Sequence, residues 1–192
     1  MAAVSNERVM KLNIGCGRNI LDGWINVDRW PAPGVDVAAN LDSDFVRLSG
    51  IADNCVDEFL LSHVIEHIHK PLPLMQTLHC LAKPGAIATI RTPYGSSDDA
   101  WEDQTHVRPY FLGSFGYFSQ PFYWKADYAY RGDWRVKKIV LFVPDAIVNL
   151  NMINAFRNVV KEMVVELEAV KPIREPNKAL QDVPVIELAV SA

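Results

Sequence analysis

Two histidines four residues apart, His63 and His67, with Glu66 beside the second, spell H-x-x-E-H. On a helix that spacing sets both imidazoles on one face, which is how one class of zinc hydrolases holds its metal and places a glutamate as general base. The reading needs a third ligand, and no residue in the sequence stands out as one. At the end of a buried strand the same letters mean something else: an imidazole at the carboxyl rim of a sheet, where open α/β folds place their ligands. A second group with chemical potential lies upstream, in Gly15-Cys16-Gly17 and Asp28. A G-x-G turn lets the backbone approach a ligand where a Cβ would collide. An acid closing the next strand can accept hydrogen bonds from both hydroxyls of a ribose. Ile20 stands where the dinucleotide fingerprint would have its third glycine, so the full G-x-G-x-x-G pattern is missing.

The elements that must position these groups alternate. Residues 9–15, 23–28, 34–42 and 56–62 read as strands, 70–85 as a helix stopped by Lys83-Pro84-Gly85, and 86–93 as a fifth strand. Strands interleaved with helices and glycine turns define an α/β chain with an open, mostly parallel, doubly wound (Rossmann-like) sheet. Most of the aromatics fall between Trp101 and Trp134 with no period of 2 or 3.6, so residues 95–133 read as an insertion capping the sheet. After it, 134–143 alternates as a strand, 144–157 reads as helix, and 159–170 reads as strand on its β-branched content. An antiparallel C-terminal strand completes the sheet. One domain spans 1–192, with its core in 9–94 and 134–192. From Gly17 to Asp28 the chain is shorter than the usual crossover, which reduces the first helix to about a turn. One face of the sheet is then thinly covered, and the insertion or a second copy in a homodimer would cover it.

The ordered segments "LNIGCG", "NVD", "NLD", "VDEFLLSHVIEHI" and "LAKPGAIATIRTP" resemble the class I S-adenosylmethionine-dependent methyltransferases over about residues 10–95. "THVRPYFLGSFGYFS" extends the likeness weakly. The resemblance implies that S-adenosylmethionine is the cofactor and that Gly15, Cys16 and Gly17 wrap its methionine part. It implies that Asp28 holds the ribose with Arg29 beside the adenine, that Asn40 and Leu41 frame the adenine edge, and that Ser62 and His63 lie near the sulfonium. The sequence departs from the family's usual pattern at Asn13, Asn19 and Asn40, which bears on cofactor affinity more than on fold. By this placement the metal motif is coincidental and no metal is expected. His69 and His79 read as surface or helix-flank residues.

Transfer from a sulfonium needs a positioned nucleophile, and a base only when the acceptor must lose a proton. His106, in the insertion, is the first candidate for that catalytic role; Asp103, Arg108 and Tyr94 come second. Net charge −4 with no clustered Lys and Arg argues against a nucleic-acid partner and for a small-molecule or sugar-type acceptor. Three spaced cysteines without a C-x-x-C pair suit reduced thiols in the cytoplasm. No apolar run approaches a membrane span, and none is expected. Two other readings remain open: a binding protein that keeps the cofactor without catalysis, and an H-x-x-E-H zinc hydrolase.

Overall fold

The computed structural model describes residues 9–43, 46, 48–144 and 148–190. β1 (Lys11–Ile14), β2 (Ile25–Asp28), β3 (Val37–Ala38), β4 (Val56–Ser62), β5 (Ala82–Pro93), β6 (Trp134–Val143), β7 (Glu162–Ala169) and β8 (Val185–Val190) join one sheet. Its order is β3-β2-β1-β4-β5-β7-β6-β8. β7 runs antiparallel to both neighbours, and every other pairing is parallel. The sheet's antiparallel strand is β7, slotted between β5 and β6, whereas the last strand, read from the sequence over 183–191, is β8 and runs parallel to β6. β8 adds a last parallel strand at the far edge.

Register explains the hydrophobic alternation. Leu12, Phe59, Ala88, Leu167 and Val136 lie in one row across five strands, and Ile14, Leu61, Ile90, Val165 and Ile139 in the next. Nine of these ten side chains are wholly shielded from solvent and Val136 nearly so. α1 (Pro71–Leu81) lays Leu74, Met75 and Leu78 on this face, and Trp134 Nε1 donates to the Met75 carbonyl over 2.9 Å. The intervening rows, Lys11–Glu58 and Leu60–Thr89–Glu166–Lys138, carry ion pairs and partly exposed side chains on the opposite face.

Several boundaries differ from the sequence reading. The third strand is only Val37–Ala38. The helix stops at Leu81, because Ala82 already has extended backbone and pairs with Val56; Lys83-Pro84-Gly85 lies in the irregular start of β5, with Gly85 at φ 80°. Between β1 and β2 the chain makes turns with no helix at all. The helix expected over 144–157 is α3 (Leu150–Ala155), N-capped by Asn149 Oδ1; residues 145–147 lie outside the described residues. His79 is buried, not on a flank: its Nε2 is 3.0 Å from the Val170 carbonyl and its ring meets Trp134 edge-on. Burial pushes its pKa down.

The insertion packs on the same face as α1. It holds α2 (Asp99–Glu102) and two 3₁₀ turns, Ser114–Phe118 and Gln120–Trp124, whose Phe115, Phe118 and Tyr123 join the main core with Tyr110 and Tyr130. Its base is locked by Asp133, fully buried, which accepts from Arg174 Nε at 2.9 Å and Nη2 at 2.8 Å.

Candidate functional site

β1 and β2 bring the glycine turn to the acid. Gly15 and Gly17 have φ of 66° and 51°, values that favour glycine. The Gly17 N–H donates to Asp28 Oδ2 over 2.8 Å, and Trp30 N–H donates to Oδ1 over 3.1 Å. A carboxylate has about four acceptor positions, and Asp28 is only half-buried, so it keeps capacity for a ligand's hydroxyls. Space at the two glycines differs. A Cβ at Gly17 would meet nothing within 4 Å, whereas one at Gly15 would come 2.6 Å from Val64 Cγ2. Gly15 thus admits a valine from the segment after β4, and Gly17 is the open part of the cradle. Cys16 is engaged within the protein: the side chain is buried, its N–H donates to Val27 O, its carbonyl accepts from Asn19 N–H, and burial, then the Asp28 charge, pushes its pKa up.

The remaining expected cofactor residues are placed less tightly. Arg29 is exposed, its guanidinium 5.3 Å from the Trp30 ring. Asn40 caps its own turn, accepting from Asp42 N–H, and Leu41 is core. Ser62 ends β4 on the uncovered face, opposite Arg91. Asn13 and Asn26, both buried, bond to each other at 2.9 Å, and Asn13 Nδ2 also donates to the Asn19 carbonyl, bracing the turn in place of a helix.

The H-x-x-E-H segment is not a helix face. His63 has φ 55°, a left-handed backbone that strains a non-glycine residue, and only Ile65–His67 form a 3₁₀ turn. The kink throws the two histidines apart. His63 Nε2 sits 2.8 Å from Glu162 Oε1 on β7, and Nδ1 sits 3.4 Å from Glu66 Oε1, near an ion pair but without hydrogen-bond geometry. Glu66 first, then the Glu162 charge, outweighs desolvation and raises the His63 pKa. His67 turns the other way, Nδ1 being 3.2 Å from Thr105 O and 3.0 Å from Thr105 Oγ1. The strap carrying Thr105 is pinned there by Val107 N–H donating to Glu66 O over 2.8 Å. It also carries His106, whose ring packs edge-on against His67 at 4.7 Å between centroids.

A cavity of about 430 Å³ opens at this rim, lined by His63, His67, Pro93, Asp103, His106 and Glu162 among others. A larger one, about 770 Å³, lies between the start of α1 and the aromatic cap, with Tyr110, Tyr117, Phe118 and Tyr123 in its wall. The structure therefore brings His63 and His106 to one cavity, and Gly17 and Asp28 to one contact. Asp103 joins the first group, its Oδ2 3.8 Å from His106 Nε2. Tyr94 is buried away from solvent, and Arg108 lines the aromatic cavity. Sequence reasoning missed Glu162, and it read Glu66 as part of the metal motif without foreseeing its burial. Glu162 reaches the rim only because β7 pairs Glu162 with Pro93, a register that a strand pattern alone does not fix.

No protein-family profile and no curated protein matches the sequence. Solved structures do match in fold. A S-adenosylmethionine-dependent methyltransferase from Archaeoglobus fulgidus is 16% identical with TM-score 0.55, over 84% of this chain and 87% of that one. The 1,6-didemethyltoxoflavin-N1-methyltransferase of Burkholderia thailandensis, solved with 1,6-didemethyltoxoflavin and S-adenosylhomocysteine, is 12% identical with TM-score 0.52, over 86% and 72% of the two chains. The [4+2]-cyclase SpnF is 10% identical with TM-score 0.53, over 87% and 77%. The chain thus has the class I methyltransferase fold, an open α/β sheet without a closed barrel. At these identities the likeness shows the fold alone, and one fold hosts many activities, as the cyclase illustrates.

Proposed function

We propose that the protein is a methyltransferase that uses S-adenosylmethionine on a small-molecule acceptor, of which a sugar-type molecule is one form. The observation that carries this reading is the 2.8 Å bond between the Gly17 N–H and Asp28, which joins a turn with open space to a half-solvated carboxylate at the carboxyl ends of β1 and β2. These residues fit the cofactor: Asp28 would accept from its ribose, the Gly17 backbone would lie along its amino-acid part, and Arg29, Asn40 and Leu41 would border its base. Ser62 and His63, closing β4, would bound the side from which the acceptor enters. When bound, the cofactor supplies an electrophilic methyl group already activated by its sulfonium charge.

The chain's own residues would then orient the acceptor and exclude water. The rim cavity carries imidazoles and carboxylates, a lining suited to a hydroxyl or amine acceptor. His106 faces it and is our candidate for activating that group. Residues 95–133 would act as the cap of a single domain. The sheet face that carries the partly exposed Leu60, Thr89 and Glu166 is the surface on which a second copy would pack. Cys16, Cys55 and Cys80 are free thiols, the state that a cytoplasmic setting maintains. Among the described residues no helix is long and apolar enough to cross a membrane, and no membrane or nucleic-acid partner enters this reading.

Titration calorimetry with S-adenosylhomocysteine, followed by detection of that product with a panel of hydroxyl and amine acceptors, tests the proposal. Absence of binding overturns it. Binding without turnover on any acceptor would favour the cofactor-binding protein.

A further inference from the structure

Glu66 is 2% exposed, yet its Oε1 has no hydrogen-bond partner, while Oε2 accepts from Thr92 Oγ1 at 3.1 Å. A buried carboxylate oxygen without a hydrogen bond is costly, and the His63 ring, its Nδ1 3.4 Å away, faces Oε1 without closing that gap, so the oxygen keeps capacity for a ligand. One ligand atom from each of Glu66, His67 and His106 lies within 4.8 Å of those of the other two. Both rings have Nδ1 against a main-chain carbonyl, His67 at 3.2 Å from Thr105 O and His106 at 3.3 Å from Ala100 O. A carbonyl that accepts Nδ1–H fixes the tautomer whose Nε2 carries the lone pair, the usual support of a metal-binding histidine. Asp103 Oδ2, 3.8 Å from His106 Nε2, is within reach as a further carboxylate.

We propose that Glu66, His67 and His106 form a binding site for a first-row divalent cation of the zinc and cobalt class. Two imidazoles and one carboxylate suit these ions better than magnesium or calcium, which prefer all-oxygen sets. This is not the H-x-x-E-H site. His63 Nε2 is taken up by Glu162, leaving only its Nδ1 beside Glu66, and the third ligand, His106, comes from the cap, where no spacing rule connects it to the motif. Since His67 and His106 also line the rim cavity, the ion would have coordination positions left on that side. The site stands on its geometry alone. Its use in holding an acceptor's oxygen beside His63, where the ion would take over the activating role that the metal-free site gives to His106, rests on the methyltransferase reading above.

Metal binding by the cofactor-free protein tests the site independently of methyl transfer. Equilibrium dialysis with Zn²⁺, and absorption spectra with Co²⁺, should give one ion per chain with no sulfur-to-cobalt charge-transfer band. His67→Gln, His106→Gln and Glu66→Gln should each weaken Zn²⁺ at least about tenfold, while His63→Gln retains it. Circular dichroism of the metal-free variants establishes that they fold, and should the buried Glu66→Gln variant not fold, the two histidine variants carry the test. No stoichiometric ion, thiolate bands, or wild-type affinity in both histidine variants would overturn the assignment. Loss of the ion in His63→Gln would overturn it too, in favour of the H-x-x-E-H pair.

Discussion

Asp28→Ala is the sharpest test of the cofactor assignment. In the structure this carboxylate accepts from Gly17 and Trp30 N–H groups and is only half-buried, so water can replace it for both donors. The cost to the free fold should be about 1 kcal/mol or less, that of an ordinary exchanged hydrogen bond. Binding should suffer more. Two charge-assisted hydrogen bonds to ribose hydroxyls, at about 1.5 kcal/mol each, sum to about 3 kcal/mol, a loss of roughly a hundredfold in affinity. At a ligand concentration about 100 times the wild-type Kd, wild type gains about 2.7 kcal/mol, and the variant about 0.4 kcal/mol. For a chain of this size that separates a rise in Tm of about 5–10 °C from one of about 1 °C. Differential scanning fluorimetry with S-adenosylhomocysteine reads this directly, and calorimetry gives Kd. An unchanged Kd in a folded variant would refute the ribose assignment and with it the proposed function.

Three further outcomes follow from the geometry. Gly15→Ala should destabilise by about 2–4 kcal/mol in urea unfolding, from left-handed backbone and the 2.6 Å approach of Val64; adding Val64→Ala should recover part of that loss. Arg174→Ala should cost about 3–5 kcal/mol, because it strands a fully buried Asp133. Burial, the largest influence on Asp133, raises its pKa, but the hydrogen bonds and charge of Arg174 prevail, and the net shift is below 3.8. The pair's stability is therefore complete above pH 3.8 and is lost as pH falls through the lower folded value; acid titrations followed by tryptophan fluorescence should show this component vanish in Arg174→Ala. His79 has its pKa lowered by burial from 6.5, so the fold should lose stability as pH falls from 6.5 towards the folded value, and His79→Phe should flatten that part of the profile.

The sequence by itself determined the parts set by neighbours along the chain. Short apolar runs between turn residues gave β1 and β4, alternation gave β6, and β-branched content gave β7, whose buried residues repeat every second position. The glycine turn and Asp28 were legible for the same reason, as marks at the ends of consecutive strands. Only the tertiary structure decided what came together across strands. Strand pairing at the level of single residues put Glu162 beside His63, and the fold of the cap carried His106 to His67. The bend at His63 then separated two histidines that helical spacing would have united. A side chain's chemistry follows from its type, but its partners follow from register and backbone direction, and those are fixed by the packing of the whole sheet.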